Sequence, residues 1–207
     1  MKQMKIKVCG MNNKQDITNV VSAGANLIGL IFYDKSPRSA DKGDVDADFV
    51  KQLAVSIVGV FVNENINTVT KIAQDYDLDY LQLHGDESPE YCSELKNKGY
   101  KVWKAFSVAE TLDKEKLKNY EDVVDYYLFD TKGINYGGNG RKFNWDVLDE
   151  YNLSKPFFLS GGLSLSDAQE VSNFVHERFW GVDLNSGFEQ SPGQKKANEI
   201  EEFINNM

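Results

Sequence analysis

The sequence predicts one α/β domain, a (β/α)8 TIM barrel that spans residues 1-207. Short apolar runs alternate eight times with segments of helical period, and several of the runs are rich in Val, Ile, Leu or Phe throughout. Such alternation indicates βα units around a parallel sheet, whose strands are covered on both faces. A chain of 207 residues is long enough to bury one core of this kind.

The predicted strands are the eight apolar runs, and each should end at the same mouth of the barrel. They cover residues 5-10, 27-33, 56-62, 80-84, 101-107, 124-130, 156-160 and 179-184. In barrels of this kind, the loops that follow the strands carry the chemistry. The residues just after each run are therefore the candidate site residues.

Capping signals predict where several helices begin. Asn65 is a candidate N-cap, and Ser88-Pro89 and Ser191-Pro192 each place a capping serine before a proline in the first helical turn. His176 falls in a segment of helical period. We therefore expect helices to start at these three caps, the last of them near Ser191.

Composition narrows the classes of partner and compartment. Lys and Arg number 23 against 32 Asp and Glu, a formal net charge of -9, which repels nucleic acid but leaves a local site for a small anion feasible. Two cysteines cannot form a disulfide framework, no short apolar segment with a basic flank and a cleavage site opens the given sequence, and no run approaches the length of a membrane span. We expect a cytoplasmic protein without nucleic acid or membrane partners.

Cys9 and Asp130 are the candidate catalytic residues. Cys9 ends the first predicted strand, where a thiol can act as a nucleophile or a base, although a lone cysteine is more often a small buried hydrophobe. Asp130 ends the sixth strand against an apolar wall that would favour the protonated acid, although a helix cap or loop ion pair is the alternative. Cys92 lies three residues before Leu95 on a helical face, and we assign it to packing.

Two further sets of residues favour an anionic ligand. Arg38 follows a proline in the second loop and could bind a carboxylate through two parallel hydrogen bonds, although a solvated arginine is the simpler reading. Gly161-Gly162 and Ser186-Gly187 follow strands seven and eight, where barrels of this type bind phosphate through backbone amides and a helix N-terminus. The run Gly137-Gly138-Asn139-Gly140 is a second candidate, or a loop that closes over the mouth.

His84 follows the fourth strand and could donate or accept a hydrogen bond within the mouth. No second histidine stands at a metal-ligand spacing from it, and no nucleotide-binding fingerprint or Ser-His-Asp arrangement is present in the sequence. We therefore predict no metal site.

Several short motifs together resemble the phosphoribosylanthranilate isomerases of tryptophan biosynthesis. They run from the first strand to the last helix: Lys7-Val8-Cys9-Gly10, Phe32 through Arg38, Val58 through Val62, Leu81-Gln82-Leu83-His84-Gly85, Gly137 through Gly140, and Asp183 through Gly193. The family pattern has serine where Asn185 stands, commonly threonine where Asn139 stands, and valine where Leu184 and Phe188 stand.

The resemblance implies a cofactor-free enzyme that converts N-(5-phosphoribosyl)anthranilate to 1-(2-carboxyphenylamino)-1-deoxyribulose 5-phosphate by an Amadori rearrangement. By the same comparison, Cys9 is the general base and Asp130 the general acid. The substrate-binding positions match Arg38, His84 and Asp183, with Arg38 on the anthranilate carboxylate and Asp183 on the bridging nitrogen or a sugar hydroxyl. The positions around the phosphate match Gly161, Gly162, Asn185 and Ser186.

Two alternatives keep the barrel but change its function. One is another sugar-phosphate isomerase or epimerase, although a histidine-pathway relative would carry aspartate where Cys9 stands, and a metal-dependent epimerase would need histidine ligands that the chain lacks. The other is a non-catalytic, phosphate-binding interaction module. In each case the partner is a small phosphorylated molecule, and either a monomer or a homodimer fits the mixed outer helix faces.

Overall fold

The structure is a computed structural model that describes residues 4–131 and 143–207. The candidate loop Gly137-Gly138-Asn139-Gly140 lies outside the described residues. Within them, eight parallel strands form a closed barrel in chain order. The prediction of a (β/α)8 barrel is therefore confirmed.

The barrel strands follow the predicted runs closely. They are β1 Lys5–Cys9, β2 Leu27–Phe32, β3 Ser56–Phe61, β4 Tyr80–Leu83, β5 Val102–Val108, β6 Tyr126–Thr131, β7 Phe157–Leu159 and β8 Phe179–Leu184. Each predicted run overlaps one of these strands, because apolar residues on both faces are what a strand between a barrel interior and a helix layer requires.

Helices of varied length cover the outside of the barrel. The α-helices are α1 Lys14–Ser22, α2 Ala47–Val50, α3 Ile66–Tyr76, α4 Pro89–Asn97, α5 Lys114–Lys118, α6 Ala168–Asn173 and α7 Ala197–Asn205. Short 3-10 helices lie at Ala40–Lys42, Glu121–Val123, Trp145–Glu150, Leu165–Asp167 and Ser186–Phe188. No helix in these two described ranges is long and apolar enough to cross a membrane.

Two of the three predicted caps are confirmed. The Asn65 side chain accepts a hydrogen bond from the Asn67 amide at 2.9 Å. The Ser88 side chain accepts one from the Tyr91 amide, and Pro89 is the first residue of that helix. Each bond satisfies an amide that the first helical turn leaves without an internal partner. The caps thus locate the start of α3 and α4.

The predicted helix start at Ser191-Pro192 is wrong. Ser191 instead ends a short strand, β9 Glu189–Ser191, which pairs with β10 Gln194–Lys195 in an antiparallel hairpin. Pro192-Gly193 forms the turn, with Gly193 at φ +86°, a conformation that glycine adopts without strain. The last helix, α7, begins at Ala197 instead.

The prediction for His176 is also wrong. Helix α6 ends at Asn173, so His176 lies in the connection to β8. Its Nδ1 accepts a hydrogen bond from the Arg178 amide at 3.0 Å, and its Nε2 lies 3.1 Å from the Tyr151 carbonyl oxygen. Both ring nitrogens therefore contact backbone groups that lie outside the helices.

Strands alone supply an apolar cluster in the barrel interior, separate from the larger core between strands and helices. Its buried members are Leu27, Val58, Trp103, Ala105, Leu128 and Phe158. The rings of Trp103 and Phe158 stack with their centroids 4.4 Å apart. Interior layers of this kind fill the barrel, so that a ligand-sized cavity is expected at the carboxyl ends of the strands.

We expect Phe158→Ala to lower the free energy of unfolding by about 3–5 kcal/mol, because it removes a fully buried ring and its stacking partner surface. Urea denaturation followed by circular dichroism measures the change. Val175→Ala is the control, since Val175 is 90% exposed and its truncation should cost less than about 0.5 kcal/mol. Equal midpoints for Phe158→Ala and the wild type would contradict this view of the core.

Candidate active site

The carboxyl ends of the strands enclose a cavity of about 510 Å³. The nine residues singled out in the sequence all line it: Cys9, Arg38, His84, Asp130, Gly161, Gly162, Asp183, Asn185 and Ser186. They come from six different strands or the loops after them, as expected where parallel strands end at one edge. We refer to this cavity as the mouth.

Cys9 shares the β1 side of the mouth with a buried lysine. Lys7 and Asp183 are register partners where β1 pairs with β8, and their side chains form an ion pair of 2.8 Å. Lys7 is fully buried, and its charge interacts with the Cys9 thiol two residues along the same strand. The thiol, the ammonium and the carboxylate therefore form one contiguous group.

Burial and the neighbouring charges shift the pKa values of Lys7 and Cys9. Burial alone would lower the pKa of Lys7, but the interaction with Asp183, and with Cys9 when it is ionised, raises the pKa, so Lys7 carries its proton at neutral pH. Burial raises the pKa of the Cys9 thiol, and the positive charge of Lys7 opposes that rise without overcoming it. Cys9 is therefore mainly a thiol at neutral pH in the ligand-free protein.

Asp130 is 3% exposed and stands on β6, three strands away from Cys9 around the barrel. Its Oδ1 accepts a hydrogen bond from the Thr131 amide at 2.8 Å, and its Oδ2 lies 3.3 Å from Nε2 of His84. The other ring nitrogen of His84, Nδ1, lies 3.0 Å from the side-chain nitrogen of Gln82. Each carboxylate oxygen thus faces one potential donor.

Gly161 has no room for a side chain beside Asp130. A Cβ atom at this position would stand 2.6 Å from Oδ1 of Asp130 and 2.4 Å from Oγ1 of Thr131. Gly161 and Gly162 also have φ angles of +94° and +69°, which residues with a Cβ rarely adopt. The glycine pair therefore allows the loop after β7 to lie directly against the acid.

Arg38 is bound to a carboxylate of the chain itself. Its Nε and Nη2 donate to both oxygens of Glu189, with distances of 2.9, 2.9 and 2.7 Å. This arrangement fixes the plane of the guanidinium group and uses only one of its edges. Nη1 takes no part in these bonds and is the nitrogen left for a ligand.

Lys195 continues this network to the last loop. Its buried Nζ donates to Glu189 Oε1 at 2.6 Å and to Asn185 Oδ1 at 2.8 Å. Burial lowers the pKa of Lys195, while Glu189 acts in the opposite direction. Because Oδ1 of Asn185 accepts from Lys195, the amide nitrogen of Asn185 is the group free to donate toward a ligand.

A second buried ion pair supports the loop that carries His84. Glu87 accepts hydrogen bonds from the amides of Asn63 and Gly85, and Lys104 donates to the carbonyl oxygen of Gly85 at 2.8 Å. The two side chains lie 3.2 Å apart and are nearly inaccessible to solvent. Gly85, and His84 before it, are thereby held from both sides.

The sequence analysis missed the residues that support the site: Lys7, Gln82, Glu87, Lys104, Glu189 and Lys195. A signal was present for two of them. Lys7 and Gln82 each stand two residues before a mouth residue, Cys9 and His84, and alternate residues of a strand face the same side. The other four form two ion pairs, Glu87 with Lys104 and Glu189 with Lys195, which no regular spacing in the chain encodes. Across the described stretches, no group of three or more His, Cys, Asp or Glu side chains could hold a metal ion.

Comparison with known proteins agrees with this site. The family model described as N-(5'phosphoribosyl)anthranilate (PRA) isomerase matches residues 6–206. The N-(5'-phosphoribosyl)anthranilate isomerase of Parabacteroides distasonis is 47% identical, over 97% of this chain and 92% of that relative. The protein of the same name from Phocaeicola vulgatus is 42% identical, over 99% of this chain and 98% of that relative.

Solved structures give the same result. Phosphoribosyl anthranilate isomerase from Thermotoga maritima superposes with a TM-score of 0.86 at 33% identity, covering 99% of this chain and 98% of that one. Another phosphoribosyl anthranilate isomerase, solved with reduced 1-(o-carboxyphenylamino)-1-deoxyribulose 5-phosphate, has a TM-score of 0.82 at 31% identity, with the same coverage. The chain is therefore an isomerase that belongs to the N-(5'-phosphoribosyl)anthranilate isomerase family of tryptophan biosynthesis.

Proposed function

We propose that this chain isomerises N-(5'-phosphoribosyl)anthranilate by an Amadori rearrangement in which Cys9 is the general base and Asp130 the general acid. The observation that carries the proposal is that the two groups line the same cavity from different strands, each with its own ionisable neighbour. A positioned acid and base on separate walls can act on different atoms of one bound substrate.

The reaction assigns one proton transfer to each group. Asp130 gives its proton to the ribose ring oxygen as the C1–O bond breaks and the nitrogen lone pair forms the imine. The Cys9 thiolate then takes the proton from C2, which produces an enolamine. Tautomerisation to the ketone moves the hydroxyl proton of C2 to C1, so the substrate gains and loses no atoms overall. Cys9 ends with one more proton and Asp130 with one fewer, and exchange with water restores both.

Lys7 serves the base in this scheme. The positive charge of its ammonium group favours the thiolate that must form before the C2 proton is removed. Cys9 acts as a base and not as a covalent nucleophile, since the rearrangement transfers protons and no acyl or phosphoryl group. The raised pKa of the thiol makes its thiolate a stronger base, although less of it is present at neutral pH.

The two ends of the substrate have separate subsites. Arg38 binds the anthranilate carboxylate through the guanidinium edge that Glu189 leaves open, and Asp183 contacts the bridging nitrogen or a sugar hydroxyl through its buried Oδ1. Gly161, Gly162, Asn185 and Ser186 surround the phosphate through amide donors. His84 contacts the substrate or its acid from the β4 side. The ligand of the solved relative likewise carries one carboxyl and one phosphate group.

We further propose one domain over residues 1-207, in the cytoplasm, with the phosphorylated substrate as its small-molecule partner. The free thiols of Cys9 and Cys92 favour a reducing compartment. A homodimer is one of the two assemblies we expect, the other being a monomer, and a solved relative from Thermotoga maritima is described as dimeric.

Replacing either catalytic group should remove most turnover. We expect Cys9→Ala and Asp130→Asn each to lower kcat by about 10²–10⁴-fold, the usual contribution of a positioned acid or base. The decay of substrate fluorescence measures the rate. Cys92→Ala is the matched control, because Cys92 is buried in the packing of α4 and should leave kcat unchanged. Wild-type rates in either catalytic variant would exclude the mechanism.

Ionisation of the Cys9 thiol should require high pH. Because burial raises the pKa of this thiol above its ordinary value of about 8.5, we expect the ultraviolet absorbance of the Cys9 thiolate to keep rising beyond that pH. The difference in absorbance between the wild type and Cys9→Ala, measured from pH 6 to 10, isolates this thiol. Cys92→Ala should show the same rise as the wild type, since burial raises the pKa of Cys92 to about 12. A rise that is complete by pH 7 would contradict this view of the thiol.

Removing the arginine proposed to bind the carboxylate should weaken substrate binding more than it slows the chemical step. We expect Arg38→Met to raise KM by about 10- to 100-fold, the range of one to two hydrogen bonds between charged groups, with a smaller effect on kcat. Arg178→Met is the control, because Arg178 stands at the opposite end of the barrel, before β8. An unchanged KM in Arg38→Met would show that the carboxylate binds elsewhere.

A further inference from the structure

Gln82 is a buried amide that the mechanism above does not use. It lies on β4 with no exposed surface, two residues before His84, and it lines the mouth. Its side-chain nitrogen stands 3.0 Å from Nδ1 of His84. A polar side chain buried in a barrel interior requires a reason, since burial without a partner is costly.

The contact determines where the proton of His84 resides. The nitrogen of a glutamine amide can only donate, so Nδ1 of His84 must accept and carry no proton. A neutral imidazole then has its proton on Nε2. That nitrogen lies 3.3 Å from Oδ2 of Asp130, so the ring directs a proton toward the carboxyl group.

We propose that Gln82 is a positioning residue that holds His84 in the Nε2–H form, with this proton directed at Asp130. The inference rests on the proposed role of Asp130 as the acid. When Asp130 gives its proton to the substrate, a carboxylate is left. His84 then donates to Oδ2 and the Thr131 amide donates to Oδ1, so both oxygens of that carboxylate are satisfied.

The opposite orientation of the amide would prevent the acid from working. With the Gln82 oxygen toward the ring, the imidazole proton would move to Nδ1 and leave Nε2 as an acceptor. A protonated Asp130 would then donate to His84 and not to the ring oxygen of a substrate. Asp130 can therefore give its proton to a substrate only when Gln82 turns its side-chain nitrogen, and not its oxygen, toward His84.

The other end of the amide does not oppose this orientation. Oε1 of Gln82 is buried and has no hydrogen-bond partner among residues 4–131 and 143–207. His84 is thus the protein group that the amide contacts. A sugar hydroxyl of a ligand in the mouth can donate to Oε1, which would hold the amide in the same orientation during the reaction.

The tautomer itself is the first test, and it does not depend on Asp130 being the acid. Long-range ¹H–¹⁵N correlation spectra of histidine-labelled wild-type protein distinguish a protonated from a bare ring nitrogen. We expect Nδ1 of His84 to be bare, and we expect Gln82→Leu and Gln82→Met to move a substantial fraction of the proton to Nδ1. His176 is the internal control, because the Arg178 amide and the Tyr151 carbonyl hold its tautomer in every variant.

A proton on Nδ1 in the wild type would overturn the proposal, as would an unchanged His84 spectrum in both Gln82 variants. The wild-type spectrum requires no substitution, so the result stands even if a variant fails to fold. Should the tautomer be as expected while Asp130→Asn remains active, the proposed acid is wrong and the positioning of His84 by Gln82 is retained.

Kinetics provide the second test. We expect Gln82→Leu and Gln82→Met to lower kcat by about 10-fold or more, with KM changed less than about threefold, because the lost donor acts on charge that develops in the transition state. His84→Gln supplies an N–H donor that has no tautomers. In that background, removing Gln82 should cost less than threefold further. Full, additive losses in the double variant, or unchanged kcat in the single variants, would contradict the proposal.

Discussion

The ladder between β1 and β8 is the constraint on which both the barrel and its site depend. This ladder closes the sheet, and its register makes Lys7 the partner of Asp183. Both side chains are buried, so the lysine and the aspartate satisfy each other where neither could remain charged alone. A shift of β1 by one residue would turn Lys7 and Cys9 together to the other face and separate Lys7 from Asp183. Closure of the barrel and formation of the Lys7–Asp183 ion pair are therefore one structural event.

Support for the site comes from within the strands as well as from loops. Lys7 stands two residues before Cys9, and Gln82 stands two residues before His84. Cys9 and His84 therefore each have a polar side chain beside them on the same face of the strand. Such neighbours move as a unit with the strand, which limits their freedom more than a loop contact would. The pair Glu87 and Lys104 extends this support to the backbone at Gly85.

The fold and the residues of the mouth were accessible from sequence because they follow local rules. Buried parallel strands read as continuous apolar runs, and their carboxyl ends meet at one edge, so Cys9, Asp130 and Asp183 could be grouped from chain order. The error at Ser191-Pro192 arose where one short motif serves two structures: serine before proline begins a helix, but Pro192-Gly193 also makes a turn. The ion pairs of Arg38 with Glu189, and of Lys195 with the same carboxylate, join residues up to 151 positions apart, and no periodicity reports such contacts.

Local charge explains how a chain with a net charge of -9 can bind an anion and still keep its thiol protonated. Arg38 and Lys195 share the single carboxylate of Glu189, which leaves one positive charge beside Asn185. Asp183 neutralises Lys7, the cation with the largest effect on the pKa of Cys9, so burial prevails in setting the pKa of the thiol. Because ionic screening limits exposed surface charges to about 8–10 Å, the acidic exterior weighs little against these buried groups. The net positive charge of the mouth thus resides on the group formed by Arg38, Lys195 and Glu189, while the cation of Lys7 is already neutralised by Asp183.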